Sequence, residues 1–244
     1  MAATRLEFLP WDSEFLKFGV ARLALSAGES AGLPTALIQA RAGRLRLLYL
    51  VVAPEDAEGN EAARQAGAVL VDRKVTFAMP VDAADAQVAA NSPISPAHAY
   101  TARLESLALQ SGEYSRFRRD PHFAPGTYER LYAQWLRNSL ARTLAREVLV
   151  YQAAPEAAES GLLTLGLKPG CAHIGLLAVD AASRGMGVGQ QLVLAARQFT
   201  AEWGLAEVQV VTQLDNHSAC AFYRKCGFTE HKVEHVYHVW LAGE

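Results

Sequence analysis

The sequence predicts an α/β (α+β) fold, in which a mixed central sheet carries helices on its faces and a smaller α/β domain sits at the amino end. Three observations point to it. Strand-length apolar or alternating runs recur along the chain, as at residues 45–53, 68–79 and 206–212. Helix-period apolar faces lie between them, the clearest being Tyr128, Leu131, Tyr132, Trp135, Leu136 and Leu140. At residues 172–203 an apolar strand passes through a glycine-containing turn into a helix. Consecutive strands followed by alternating helices give a mixed sheet rather than a bundle or a sandwich.

In chain order, residues 8–25 read as a loop, with the turn-forming Pro-Trp-Asp-Ser, leading into a short alternating strand. A helix over 34–43 follows, then a buried strand at 45–53, a brief helix at 60–66 ended by Gly67, and an alternating strand at 68–79. Residues 80–97 are rich in Ala, Pro, Asp and Ser and mark the domain junction, which divides the chain into 1–92 and 93–244. Helices are expected at 96–110 and 127–146, with a polar, Pro-containing loop between them. The remainder reads as strands at 147–153, 161–167 and 172–179, a helix at 188–203, a strand at 206–212, a helix at 217–226 and a strand at 228–240. Arg64-Gln-Ala-Gly67 ahead of one long strand echoes Arg224-Lys-Cys-Gly227 ahead of the last, a hint of partial duplication.

With 244 residues the chain can bury a core without disulfides or a structural metal. The 23 basic and 25 acidic residues leave a net charge of -2, which excludes a whole-domain basic footprint for nucleic acid. Cys171, Cys220 and Cys226 match no zinc or CxxC spacing and are expected to be reduced thiols. No membrane span or amino-terminal signal pattern is present, so a cytoplasmic protein is expected. The long terminal strand is a candidate for pairing across a homodimer.

The most informative passage is His173 to Gly189, HIGLLAVDAASRGMGVG. Glycines at a helix start admit a ligand to the backbone, and the first N–H groups of the helix have no intrahelical partner. Together with the helix dipole they make an anion site suited to a pyrophosphate. A tight connection would use the same residues, and a dinucleotide fingerprint fits poorly because its glycine order and following acidic residue are missing.

The spacing Arg184-x-x-Gly187-x-Gly189 after Leu-Ala-Val-Asp resembles the acetyl-CoA signature of the GCN5-related N-acetyltransferases. The likeness continues in Asn216, the helix that follows it, Tyr223 and Gly227-Phe228. It implies acetyl-CoA as co-substrate and no metal. The cradle would be Arg184, Gly185, Met186, Gly187, Val188 and Gly189, with the strand residues Leu177, Ala178 and Val179 beside the pantetheine and thioester. Asn216 would contact the pantetheine arm, and Tyr223 would give a proton to the departing thiolate. A phenol suits that task, because its ordinary pKa is near 10. A covalent route through Cys220 or Cys226 is the competing mechanism.

Trp11 with Phe18-Gly19-Val20, Ser115-Arg116-Phe117-Arg118, and Tyr132-Ala-Gln-Trp135 together resemble the TDP-fucosamine acetyltransferase family. That family acetylates the amino group of TDP-4-amino-4,6-dideoxy-D-galactose, for surface polysaccharide synthesis. The chain departs from it in an Asp-Pro-His insertion after Arg119 and in Phe222. The likeness implies a nucleotide-sugar acceptor met by Trp11, Asp12, Ser13, Arg116 and Arg118, with the amino-terminal domain walling its site. Residues 115–146 hold seven arginines against Asp120 and Glu129, a composition suited to a diphosphate, although a solvated loop would look the same. His122 and His173 are candidate bases. A peptide or small-molecule amine as acceptor, or a non-catalytic acyl-CoA binding module, are the alternatives.

Overall fold

The computed structural model describes residues 6–86, 93–154 and 156–241. Its first elements are β1 (Glu7–Phe8), α1 (Pro10–Leu16), β2 (Gly19–Ala24), α2 (Leu33–Ala42), β3 (Leu45–Val52), α3 (Ala57–Gln65) and β4 (Val69–Pro80). After residues 87–92, the part of the expected junction that lies outside the described residues, come β5 (Ile94–Pro96), α4 (Ala102–Ser111), α5 (Arg116–Arg119) and α6 (Thr127–Leu140). The chain ends with β6 (Glu147–Tyr151), β7 (Gly161–Lys168), β8 (Cys171–Val179), α7 (Val188–Glu202), β9 (Glu207–Gln213), α8 (His217–Lys225) and β10 (Thr229–Trp240). Two compact units result. The first comprises Met1–Val75, Gln213–Asp215 and Lys232–Glu244, the second Thr76–Thr212 and Asn216–His231.

Three local expectations are corrected. Residues 10–16 form a helix, not a loop: Pro10 stands at its first position, where a missing N–H costs nothing, and left-handed Lys17 (φ 63°) ends it. Residues 94–96 form a strand, and the helix after it starts only at Ala102, because Thr101 caps it by accepting from the Leu104 N–H at 3.1 Å. The polar loop before α6 contains the short helix α5, capped by Ser115.

In the first unit β2 and β3 are parallel, β1 pairs antiparallel with β2, and β10 pairs antiparallel with β3 through His235–Trp240. Leu47–Val52 are all buried, which explains the unbroken apolar run. Ala21 and Leu23 of β2, Leu48 and Leu50 of β3, and Leu33, Ala36 and Leu37 of α2 form its core with Tyr237 and Val239. Over His235–Trp240 one side of β10 is thus already used within the chain and is not open to a dimer partner.

Within this unit Glu234, its side chain 8% exposed, is held by Lys74 and Lys232, each at 2.8 Å, and by Arg22 at 3.8 Å. Burial alone would raise its carboxyl pKa, but the hydrogen bonds from Lys232 and Lys74 outweigh it and hold the group at about 2. A pKa lowered on folding means stability present above the ordinary value of 4.5 and lost as pH falls toward 2. Glu234→Gln is therefore expected to cost about 1–2 kcal/mol at neutral pH, a drop of roughly 2–8 °C in Tm. In thermal melts the gap between the two proteins closes as pH falls below 4.5; a gap independent of pH contradicts the assignment.

In the second unit the part of β4 from Thr76 onward is followed in the sheet by β9-β8-β7-β6-β5. From β5 to β8 each pair is antiparallel, and β8 with β9 is parallel, the pair that α7 connects. Helix α4 packs on β8 and α6, and α7 on β6, β7 and β8. Arg197 of α7 grips Asp85 with one nitrogen 2.7 and 2.8 Å from the two carboxylate oxygens.

The echo seen in sequence extends to a shared local plan. Helices α3 and α8 are each nine residues long and start at 57 and 217; β4 and β10 are each twelve and start at 69 and 229. Asp56 caps one helix through the Gly59 N–H, and Asn216 caps the other through the Ala219 N–H. Each helix leads to a left-handed glycine, Gly67 (φ 73°) or Gly227 (φ 93°). Buried Ala63 stands in α3 where Tyr223 stands in α8, so the amino-terminal copy carries no phenol at that place.

Candidate active site

Strand β8 ends at Val179, and a single 3-10 turn follows, capped by Asp180, which accepts from the Ala182 N–H at 3.0 Å. That bond, more than the Arg103 ion pair at 2.9 Å, holds the Asp180 carboxyl below its ordinary pKa. Arg184 donates from Nε to the Val179 carbonyl at 3.2 Å and so ties the turn to the strand end. Gly185 (φ 79°) and Gly187 (φ 83°) are left-handed, and a Cβ at either would meet nothing within 4 Å. The space over both is open, and Met186 between them is 71% exposed.

Gly187 is the N-cap of α7 and has no side chain with which to cap it. The Gln191 N–H bonds the Gly187 carbonyl at 3.1 Å, so the N–H groups of Val188, Gly189 and Gln190 form the unpartnered first turn of an ordinary helix start. Val188 turns its side chain into the core. Gly189 answers a packing need, because a Cβ there would lie 3.0 Å from the Phe222 ring. Left-handed glycines under open space and a helix start without a capping side chain fit a pyrophosphate.

The strand before the cradle has an open side. β8 pairs with β9 through Ala172–Ile174 against Val208–Val210 and then stops, although the strands run on to Val179 and Gln213. On its other side β8 stays paired with β7 to Val179, with one irregularity, where Gly175 and Leu176 stand opposite Thr164. The Leu176 N–H donates to Thr164 Oγ1 at 2.8 Å, and a Cβ on residue 175 would come within 2.9 Å of that oxygen. Leu177 and Val179 are half-buried while Leu176 and Ala178 are buried. Such a strand edge can take the amides of an extended ligand as a further strand would be taken.

Tyr223 is 6% exposed and is ringed by Phe77, Phe222 and Phe228, with centroids 5.8, 5.2 and 5.6 Å away. Burial drives its pKa well above the ordinary phenol value, so the group stays protonated. Asn216 spends its Oδ1 on the α8 cap and on the Ser218 hydroxyl at 3.1 Å, which leaves the amide Nδ2 as the group it can offer. None of the three cysteines is in a disulfide, and burial is the main cause raising each of their pKa values. They are thiols, not thiolates, and so poor nucleophiles. Among the described residues no group of three His, Cys, Asp or Glu side chains is arranged to hold a metal ion, and no helix is long and apolar enough to cross a membrane.

The arginine loop belongs to the same unit and is more ordered than its composition implies. Phe117, which lies among the arginines, is buried against Phe123 (5.2 Å) and Trp135 (6.3 Å). The cations instead sit on rings: Arg116 over Phe117 at 4.8 Å, Arg118 over Tyr128 at 5.5 Å, and Arg119 over Tyr114 at 4.8 Å. Burial is the main cause raising the Tyr128 pKa to about 12, and its hydroxyl donates to the Leu109 carbonyl. Of the candidate bases, His173 is half-buried in β8 with β7 and β9 on either side, whereas His122 projects from the loop.

Trp11, Asp12 and Ser13 lie on α1, in the other unit. Trp11 stacks on Phe15 with centroids 5.4 Å apart, and Asp12 accepts from the Tyr49 hydroxyl at 3.3 Å. Ser13 Oγ donates to the Leu9 carbonyl at 2.7 Å and accepts the Val20 N–H at 2.9 Å, so it serves as a tie between α1 and β2. Sequence reasoning passed over Thr164 and Gln110. Gly175 inside an apolar strand was a signal for the first, since such a glycine marks a bulge; nothing announced the contact of Gln110 with Arg184 at 3.5 Å.

Comparison with known proteins agrees with this geometry. Residues 114–228 match the family model described as acetyltransferase (GNAT) family. The chain is 30% identical over 222 residues to the dTDP-fucosamine acetyltransferase of Escherichia coli O6:H1, covering 91% of this chain and 92% of that protein. It is 23% identical to the spore coat polysaccharide biosynthesis protein SpsD of Bacillus subtilis, over 96% of this chain and 82% of the relative. In fold it resembles a GCN5-related N-acetyltransferase from Sphaerobacter thermophilus, with a TM-score of 0.62, 16% identity and coverage of 99% of this chain and 78% of the other. A cradle at a helix start, an opened strand pair and a likeness that spans nearly the whole chain have one common account: the protein belongs to the GNAT family of acyl-CoA-dependent N-acetyltransferases.

Proposed function

We propose that the protein moves the acetyl group of acetyl-CoA to the amino group of a nucleotide-linked amino-dideoxy sugar, of the TDP-4-amino-4,6-dideoxyhexose type, by direct attack in a ternary complex. The observation that carries the acceptor is the 30% identity to a dTDP-fucosamine acetyltransferase along nine-tenths of both chains. The ring-stacked arginines of α5 support it, because stacking fixes a guanidinium plane and guanidinium is the group that forks onto phosphate. We assign Arg116 and Arg118 to the acceptor diphosphate.

Acetyl-CoA supplies an acyl carbon activated as a thioester. The N–H groups of Val188, Gly189 and Gln190 hold the pyrophosphate, which Gly185 and Gly187 admit. The open edge of β8 at Leu177, Ala178 and Val179 aligns the pantetheine amides, and the Asn216 amide donates to the same arm. The Tyr223 hydroxyl donates its proton to the sulfur as the acetyl carbon is released. Direct attack is preferred over a covalent route because burial keeps Cys220 and Cys226 protonated.

Incubation with acetyl-CoA and a panel of amino-sugar nucleotides, followed by release of free thiol, tests the assignment. Turnover is expected with dTDP-4-amino-4,6-dideoxy-D-galactose or its 4-epimer. Absence of turnover with every amino-sugar nucleotide, beside turnover with a peptide or a free small-molecule amine, contradicts it.

A further inference from the structure

The attacking amine must lose a proton, and the machinery described so far accepts none. The loop after α5 supplies a group built for this. Asp120, its side chain 2% exposed, accepts at Oδ1 from the His122 backbone N–H at 3.0 Å and from His122 Nδ1 at 2.8 Å. A carboxylate at this site only accepts, so Nδ1 carries the hydrogen and the lone pair is on Nε2. The His122 side chain is 54% exposed, so a ligand can reach the ring. The imidazole is thus fixed in tautomer and orientation by a buried acid two residues away, the arrangement by which carboxylates elsewhere position a histidine base.

The turn is also rigid. The Asp120 N–H donates to the Arg116 carbonyl at 2.9 Å and Phe123 is buried against Phe117, so both ends of Asp120-Pro121-His122 are anchored. It follows the arginines assigned to the acceptor phosphates, and the loop starts one residue after α4, the helix that packs on β8 and reaches Arg184 through Gln110. The charged groups on the turn and on the flanking helix turns are Asp120 itself, Arg116, Arg118 and Arg119 on α5, and Glu129 and Arg130 on the first turn of α6.

We propose that His122, oriented by Asp120, is the general base for the acceptor amine. This rests on the reading of the α5 loop as the acceptor site. The lone pair of the neutral amine forms the bond to the acetyl carbon as the carbonyl electron pair moves onto oxygen, and His122 Nε2 accepts the proton of an N–H bond that breaks on the now-cationic nitrogen, its electron pair staying on nitrogen. The carbon–sulfur bond then breaks, with its electron pair leaving on sulfur and the proton of Tyr223 joining it. Asp120 stabilises the imidazolium until its proton passes through water back to the phenolate, which restores both side chains. Asp120 is a positioning residue in this scheme.

Steady-state rates of the full chain with the dTDP-amino sugar, for wild type and His122→Gln, are to be measured across pH 5 to 9. The variant is expected to lose about a hundredfold in kcat at neutral pH, to lose the acidic limb of its pH profile, and to keep its KM for acetyl-CoA within about threefold. Imidazole added to His122→Ala is expected to restore part of the rate. Nitrogen NMR of the free enzyme provides a second measurement, with the Nδ1–H tautomer expected at His122 and a mixture in Asp120→Asn. A wild-type-like rate and pH profile in His122→Gln, or an Nε2–H tautomer in the free enzyme, overturns the proposal. Wild-type silence toward every amino-sugar nucleotide instead removes the acceptor reading, and the base assignment with it.

Discussion

Tyr223→Phe is expected to lower kcat by about 10² to 10³ while acetyl-CoA binds as tightly as before. General acid catalysis contributes roughly 10² to 10⁴, and solvent water replaces part of what the phenol gives. The fold should survive, because the ring is what packs against Phe77, Phe222 and Phe228, and phenylalanine keeps it. Steady-state thiol release gives the rate, and calorimetric titration with CoA gives the affinity. The upward shift of the phenol pKa adds a pH expectation: raised on folding, its deprotonation lies beyond the alkaline working range, so it contributes no falling limb near pH 10. A kcat within threefold of wild type excludes Tyr223 as the acid, whereas an alkaline limb that vanishes in the variant would keep the role and contradict only the upward shift of its pKa. Weakened CoA affinity at unchanged kcat makes it a binding residue.

The glycine turn and the helix start after it were legible because their requirements are local. Left-handed glycines at 185 and 187 and an uncapped helix start are fixed by residues within one turn of chain, and the spacing of Arg184, Gly187 and Gly189 shows them directly. Even there the sequence merged two needs: Gly187 keeps space open, while Gly189 lets Phe222 approach. The end of the β8 to β9 pairing at Ile174 was not readable, since Leu176 to Val179 look like any core strand and the partner lies some 35 residues further on. The α5 loop misled in the opposite sense. Its composition read as a polar loop, yet Phe117 and Phe123 bury themselves and each arginine of α5 lies on a ring, contacts set by tertiary packing and not by composition. Residues 10–16 read as a turn because proline and serine signal turns and first helical turns alike.

Gly187→Ala is expected to raise the KM for acetyl-CoA at least tenfold while leaving kcat within about threefold. Two effects act at this residue and must be separated. A side chain at φ 83° is strained wherever it stands, at about 1–2 kcal/mol, or roughly 2–8 °C in Tm. The added methyl also projects into the open space over the α7 N-terminus, where nothing lies within 4 Å in the protein and where a pyrophosphate would sit. Gly204 isolates the first effect: it follows the far end of α7, is left-handed at φ 71°, and a Cβ there would likewise meet nothing within 4 Å. Gly204→Ala should therefore lose similar thermal stability with an unchanged KM. Melting curves and acetyl-CoA saturation curves of both variants decide the matter. Equal rises in KM would trace the loss to strain transmitted along α7, and no rise in either would move the pyrophosphate away from this helix start.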